Sequence, residues 1–432
     1  MLKMRLHRHG MSALLVVLIC VSAACAPPPA PTPAAVAVPS AAAAPASTET
    51  PIPTATPVPT ATNTPFVPKA IVRIVSQSPA NADIAHGAQL AVEQLAAPLR
   101  DLGYEAQYSA FDDQNNVDVA AQNAKQIIDD PEVLCGVGHY TSRVTINLED
   151  IYHRAGLAFI SPSATNPQVT ERHYLETSRV AGRDDGLAEA TVKFVQSKGL
   201  TSIFVVRNDI DFFNRVGDAF RRGADEAHLQ IVGDLAASIE MGNYDAAVAR
   251  LMAANADVVF FGGSANQAGT FLHDARLAGY QGMLVGIDGA SALGRTAGPL
   301  ATEGAGLYYM AGSVPPEVFA GTNQFSADFQ AAFGAPPQLL GYGAEAYDAG
   351  GVCLKAIEDA SRAKGGDLPS RQEVAQAVRL VKDYKGITNT FGFTADGDPT
   401  SVHYLAIQVT SVDPNNWDTN PIAADFELPP PK

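Results

Sequence analysis

The chain has 432 residues, 47% of them hydrophobic, with a formal net charge of −16 and four cysteines. That length supports more than one hydrophobic core, and the acidity argues against a nucleic-acid partner. Cys20, Cys25, Cys135 and Cys353 show no C-x-x-C or Cys/His spacing, so neither a zinc site nor a redox site is expected.

Lys3, Arg5 and Arg8 precede an apolar run, Met11 to Ala24, too short for a bilayer span of about 20 residues. Ser22-Ala23-Ala24 then read as a cleavage site, so residues 1–24 are expected to be a secretory signal peptide. A cysteine directly after small residues resembles a lipobox, although Ser22 stands where Leu is usual. Cys25 is therefore the expected lipid attachment point, with simple secretion and a spare thiol as the alternative. Residues 25–68 are rich in Pro, Ala and Thr, with Glu49 their only charge. Such a segment cannot bury a core and is expected to be an extended, semi-stiff tether.

From Lys69 the pattern alternates. AIVRIVS reads as a strand, HGAQLAVEQLAAPLRDLG as a helix stopping at Gly103, and YEAQYSAFDD as a strand. VDVAAQNAKQIIDD, EVLCGVG, SRVTINLEDIYHRAG and LAFISPS continue as helix, strand, helix, strand. After Gly182 a second alternating series begins with the helix DDGLAEATVKFVQSKG and the strand SIFVVRN. The alternation predicts α/β architecture with parallel sheets in two lobes. Cys135 falls in a strand and Cys353 in a helical run, so two separate buried thiols are expected. Asp112 and Asp113 follow a strand and read as caps of the next helix rather than a metal pair. GFTADGDP (392–399) lacks the last acidic ligand of a calcium loop and reads as a hairpin turn. No G-x-S-x-G, H-E-x-x-H or P-loop is present, so neither catalysis nor a cofactor is expected, and His139 reads as a polar wall residue rather than a general base.

In open parallel sheets, ligands bind beyond the carboxyl ends of the strands. Those ends here are small or polar: Gly138-His139-Tyr140-Thr141-Ser142, Ser161-Pro162-Ser163-Ala164-Thr165, Gly262-Gly263-Ser264 and Gly286-Ile287-Asp288-Gly289. Ser142 begins a helix, whose free N–H groups suit a carboxylate. An acceptor-only carboxylate such as Asp288 on the facing lobe suits an ammonium group. The pattern sketches a cleft for a zwitterionic amino acid.

FDDQNNVDVAAQNAKQIIDD, GVGHYTS, GLAFISPSATNPQVTER and YDAAVARLMAANADVVFFGG resemble the leucine/isoleucine/valine-binding proteins of ABC importers, which are type I periplasmic binding proteins. The likeness runs from about Lys69 to Phe426. It implies two Rossmann-like lobes with parallel sheets, joined by a three-strand hinge and closing over the ligand. Crossovers are implied near Gly182, Ala311 and Lys385. Lobe 1 is then 69–182 plus 312–384, and lobe 2 is 183–311 plus 385–426.

By position, Ser142 would hold the ligand carboxylate, Ser163 would offer its carbonyl and Thr165 its hydroxyl, and Asp288 would pair with the ammonium. Phe212 and Tyr342 would border the ligand side chain, and Tyr140, Ala164 and Ser264 complete the implied set. The resemblance implies a solute-binding lipoprotein, not an enzyme. It would act as a monomer outside the cytoplasm, held to the membrane by lipid, and deliver an amino acid to an ABC permease. The alternative is a tethered sensor or interaction domain of the same fold, without transport. SQSPANADIAHG is shorter than the family's glycine-rich loop, Ser264 replaces a larger group and Phe212 lacks a hydroxyl, so the side-chain pocket is expected to differ from that of leucine binders.

Overall fold

The β-branched run AIVRIVSQS forms β1 (Ala70–Ser78), which lies inside a sheet and buries Val72, Ile74 and Val75 completely. The computed structural model describes residues 66–208, 210–237, 244–287, 306–312, 322–338, 341–410 and 420–432. The expectations for residues 1–65, Cys25 included, and for Asp288 lie outside the described residues.

The first lobe continues through α1 (Ile84–Leu95), α2 (Ala97–Asp101), β2 (Tyr104–Asp112), α3 (Val117–Asp129), β3 (Val133–Gly138), α4 (Ser142–Ala155), β4 (Ala158–Ser161) and β5 (Thr177–Arg179). Its five strands run in the order β2-β1-β3-β4-β5, with every pairing parallel. Such a sheet is covered on both faces, which is why β3 and β4 are buried at every position.

The second lobe comprises α5 (Asp184–Ser197), β6 (Ser202–Asn208), α6 (Asp211–Glu226), β7 (Gln230–Ala237), α7 (Asp245–Ala254), β8 (Val258–Gly262), α8 (Ala265–Leu277), β9 (Met283–Ile287) and β10 (Leu307–Ala311). The chain then returns to the first lobe as α9 (Thr322–Phe333), α10 (Gly343–Ala363), α11 (Arg371–Leu380), β11 (Tyr384–Lys385) and β12 (Thr390–Phe391). It ends in the second lobe with β13 (Val402–Gln408) and β14 (Ile422–Leu428). The second sheet has the order β14-β13-β10-β9-β8-β6-β7. There β13 pairs antiparallel with both β14 and β10, and the remaining pairings are parallel.

The returning helices complete the first core. Val352, Ala356 and Ile357 of α10 join Val72, Ile74, Cys135 and Ala158 of the sheet in one buried cluster. Gly87 permits the close approach of α1 to α10, because a Cβ there would lie 2.0 Å from the Gly343 carbonyl oxygen. Cys135 and Cys353 are not separate thiols. They form a disulfide between β3 and α10, with Cα atoms 5.7 Å apart, because α10 lies directly on that strand.

Three linkers join the lobes. One is 180–183, the stretch after Gly312 lies outside the described residues, and another falls at 399–401 rather than near Lys385. The reason is packing: Phe391 and Phe393 are buried in the first lobe's core, and Asp348 of α10 accepts N–H bonds from Ile387 at 2.7 Å and Thr388 at 2.9 Å. GFTADGDP is a hairpin turn, with Phe393 bridged antiparallel to Pro399.

Candidate functional site

The loops at the strand ends of the first lobe are held by their own short polar side chains. Ser161 Oγ donates to the His139 carbonyl at 3.3 Å and accepts from the Ala164 N–H at 3.0 Å. Ser163 Oγ donates to the Tyr140 carbonyl at 2.9 Å. Ser142 Oγ accepts the Asn166 N–H at 3.2 Å, which leaves its own proton free to donate. The loop 163–167 is clamped from below by Arg179. This fully buried guanidinium donates to the carbonyls of Ala164 and Asn166, each at 2.8 Å, and to Asp398 at 2.7 Å. A buried arginine of this kind is tolerated because its charge is paired and its donors are satisfied.

These loops form one wall of a cleft of about 690 Å³ between the lobes. Tyr140, Ser142, Arg143, Ser163, Thr165 and Tyr342 line it from the first lobe, and Ile210, Asp211, Phe212, Phe213 and Arg215 from the second. Tyr140 and Tyr342 meet edge to face, with centroids 5.8 Å apart. Tyr342 holds the left-handed conformation at φ 55° at the start of α10. Phe212 packs edge to face on Phe213 at 5.1 Å. The far wall is thus apolar with a charged edge, where Arg215 bridges Asp211 and the buried Asp184. Burial pushes the Asp184 carboxyl up from its ordinary range, against the pull of the Thr165 hydroxyl and Arg215. Thr165 therefore touches the cleft and the hinge together, since its carbonyl also accepts the Asp184 N–H at 2.9 Å.

The expected site residues divide as follows. The cleft gathers Tyr140, Ser142, Ser163, Thr165, Phe212 and Tyr342. Ala164 lies beneath the wall, fully buried. Ser264 is exposed and caps α8 in a capping box with Gln267, so its hydroxyl serves that helix. Asp288 lies outside the described residues.

Thr141 holds the N-cap position of helix α4, and Ser142 is its first residue. The Thr141 side chain makes no capping bond, so the first-turn N–H groups of α4 have no intrahelical partner, and Thr141, Ser142 and Arg143 line the cleft. That terminus, with its partial positive charge, suits a carboxylate.

Asp112 and Asp113 do not cap α3; Asn116 does, accepting from Asp118 and Val119 N–H groups. Asp113 instead accepts from His139 Nδ1 at 2.8 Å. His139 is fully buried under the cleft rather than on its wall, and burial lowers its pKa against the opposing pull of Asp113. Sequence reasoning did not single out Arg143, Asp211 or Arg215 for the cleft. Their signal was position in the first turn or two of helices that begin at strand ends. Among the described residues no group of three or more His, Cys, Asp or Glu could hold a metal ion, and no helix is long and apolar enough to cross a membrane.

The chain is 26% identical over 321 residues to the leucine-, isoleucine-, valine-, threonine-, and alanine-binding protein of Pseudomonas aeruginosa, a match covering 72% of this chain and 81% of that one. It is 28% identical over 229 residues to an amino acid binding protein of the same species, covering 52% of this chain and 59% of that relative's length. In fold it is similar to the ABC transporter substrate-binding protein of Desulfitobacterium hafniense in complex with Leu, with a TM-score of 0.65, 22% identity, and coverage of 79% of this chain and 98% of that one. It is similar also to a branched chain amino acid ABC transporter periplasmic ligand-binding protein of Burkholderia xenovorans, with a TM-score of 0.70, 19% identity, and coverage of 82% and 95%. The family model for periplasmic binding proteins matches residues 76–413. Two α/β lobes with a cleft between them accord with that match, and the chain belongs to the periplasmic binding protein family, whose members bind solutes rather than transform them.

Proposed function

We propose that this protein is the extracytoplasmic solute-binding component of an ABC importer and captures an amino acid, branched-chain or related, between its lobes. The observation that carries this reading is the open N-terminus of α4 beside Ser142 and Thr165, facing the apolar Phe212 across one cleft. The α4 N–H groups and the Ser142 hydroxyl take the carboxylate. The Ser163 carbonyl, the Thr165 hydroxyl and Asp288 take the ammonium. Phe212, Tyr140 and Tyr342 enclose the side chain. Cys25 carries the lipid, and residues 25–68 space the two lobes from the membrane. The closed form then docks on a permease, and closure follows a hinge at the three linkers.

A thermal-shift screen of the purified protein against amino acids, amides, polyols and nucleosides tests the reading. At about 1,000 times its dissociation constant, a ligand stabilises the fold by roughly 4 kcal/mol, and an aliphatic amino acid is the expected hit. A hit among uncharged solutes alone overturns the carboxylate and ammonium assignments. Binding without solute uptake in cells that produce the protein favours a sensor. Radiolabelled fatty acid incorporated by the wild type and lost in Cys25→Ser checks the anchor.

A further inference from the structure

The open end of α4 has a specific cause in the neighbouring turn. Thr141 has φ −109° and ψ 144°, which is already the extended backbone of a capping residue. A threonine so placed ordinarily turns its hydroxyl onto the second or third N–H of the helix. Here the hydroxyl donates instead to Asn115 Oδ1 at 2.5 Å. Asn115 is held for this purpose from both ends. Its backbone N–H donates to Asp113 Oδ1 at 2.8 Å, and its carbonyl accepts from Arg143 Nη2 at 2.8 Å. Its backbone is left-handed, with φ 51°, a conformation that Asn tolerates better than most residues.

Asp113 is in turn fixed from beneath the cleft. Its second carboxylate oxygen accepts His139 Nδ1 at 2.8 Å, and both side chains are fully buried. The imidazole stacks on Phe159 at 5.3 Å, and its Nε2 lies 3.3 Å from the Tyr152 hydroxyl, which donates to Gln77 Oε1 at 2.8 Å. Next along the chain, Asn116 caps α3 in the ordinary way. The turn therefore caps one helix with Asn116 while withholding a cap from the other with Asn115.

We infer that Asn115 is a positioning residue that draws the Thr141 hydroxyl off the end of α4 and so keeps the first-turn N–H groups open to the solute. The inference rests on the proposed reading of the cleft as an amino acid site. A self-capped α4 would have to surrender its cap before a ligand carboxylate could bind, and affinity would fall by the worth of that cap.

The test uses Asn115→Gly in the full-length protein, which retains both the left-handed turn and the carbonyl that holds Arg143. Amide hydrogen exchange is followed in the ligand-free protein at Arg143 and Val144, and calorimetry measures affinity for the best-bound of the twenty proteinogenic L-amino acids. The released hydroxyl caps the helix, so exchange at one of these amides slows about fivefold or more, and affinity falls about tenfold. In Asn115→Gly/Thr141→Val no hydroxyl remains to cap, and both quantities return to within about twofold of wild type. Unchanged exchange, affinity within about twofold of wild type, or no recovery in the double variant each overturns the inference. If the wild type binds no amino acid, the proposed function falls, and the exchange rates alone decide whether Asn115 holds the hydroxyl.

Discussion

Glu149 sits on the inner face of α4, 1% exposed, and neither carboxylate oxygen has a hydrogen-bond partner. Arg172 approaches to 3.5 Å, but burial outweighs that attraction and pushes the carboxyl up to about 8. The folded state therefore holds a proton here that the unfolded chain releases at an ordinary carboxyl pKa. Stability is full below that ordinary value and declines as pH rises through the window up to about 8. Glu149→Gln removes the ionisation, so its melting temperature is expected to exceed that of wild type by about 3 °C or more at pH 8.5 and to differ little at pH 5. Equal melting temperatures at both pH values would refute this account. A second prediction concerns Asp288. If it pairs with the ligand ammonium in a closed cleft, Asp288→Ala weakens binding by about 2–5 kcal/mol, and calorimetry showing unchanged affinity removes it from the site.

Among the elements, β3 and α10 carry the most consequence, because the Cys135–Cys353 disulfide joins them. Both cysteines are fully buried, so the bond is shielded from reductant until the lobe opens. Cys135→Ala/Cys353→Ala is expected to cost about 2–5 kcal/mol, read as a lower denaturant midpoint with a steeper slope, because the unfolded chain without the cross-link exposes more surface. A midpoint equal to wild type would show that packing alone holds α10 on β3. The bond was not legible in the sequence, where the two cysteines are 218 residues apart. Only the return of α10 to the first sheet brings them together. The strand ends were more legible. Glycine, serine and proline at 138–142 and 161–165 announced a site, since a core-sealing strand end would be bulkier. Ser264 looked equivalent by the same criterion, but its hydroxyl is satisfied within α8 by Gln267, a local bond that strand-end position does not reveal. Asn115 was hidden for the opposite reason: its partner Thr141 lies on another loop.

For the whole molecule, the alternation of apolar strands and amphipathic helices was enough to give two α/β lobes, because each period follows from backbone geometry. The third crossing was not, since Phe391 and Phe393 could pack on either lobe until the buried Asp348 drew residues 387–388 to the first. The hinge lies beside a charged cluster in which Asp398 accepts from both Arg179 and Arg183. Because Arg179 also clamps the carbonyls of Ala164 and Asn166, hinge and cleft-wall loop share one support. Asp398→Ala strands a buried guanidinium and is expected to cost about 3–5 kcal/mol of stability while weakening ligand binding as well. A variant that loses stability but keeps full affinity would separate the two. Small-angle scattering should show the radius of gyration falling on ligand addition, and an unchanged value would exclude hinge closure.

The disulfide has one more consequence, for how the protein survives damage. Its two ends lie on either side of the second lobe's inserted stretch, so residues 135–353 form one covalent ring that takes in that stretch. A protease that cuts once anywhere between residues 135 and 353 opens the chain without releasing either piece. Such a nicked molecule runs as one species on a non-reducing gel and as two after reduction, its severed halves joined by the one bond.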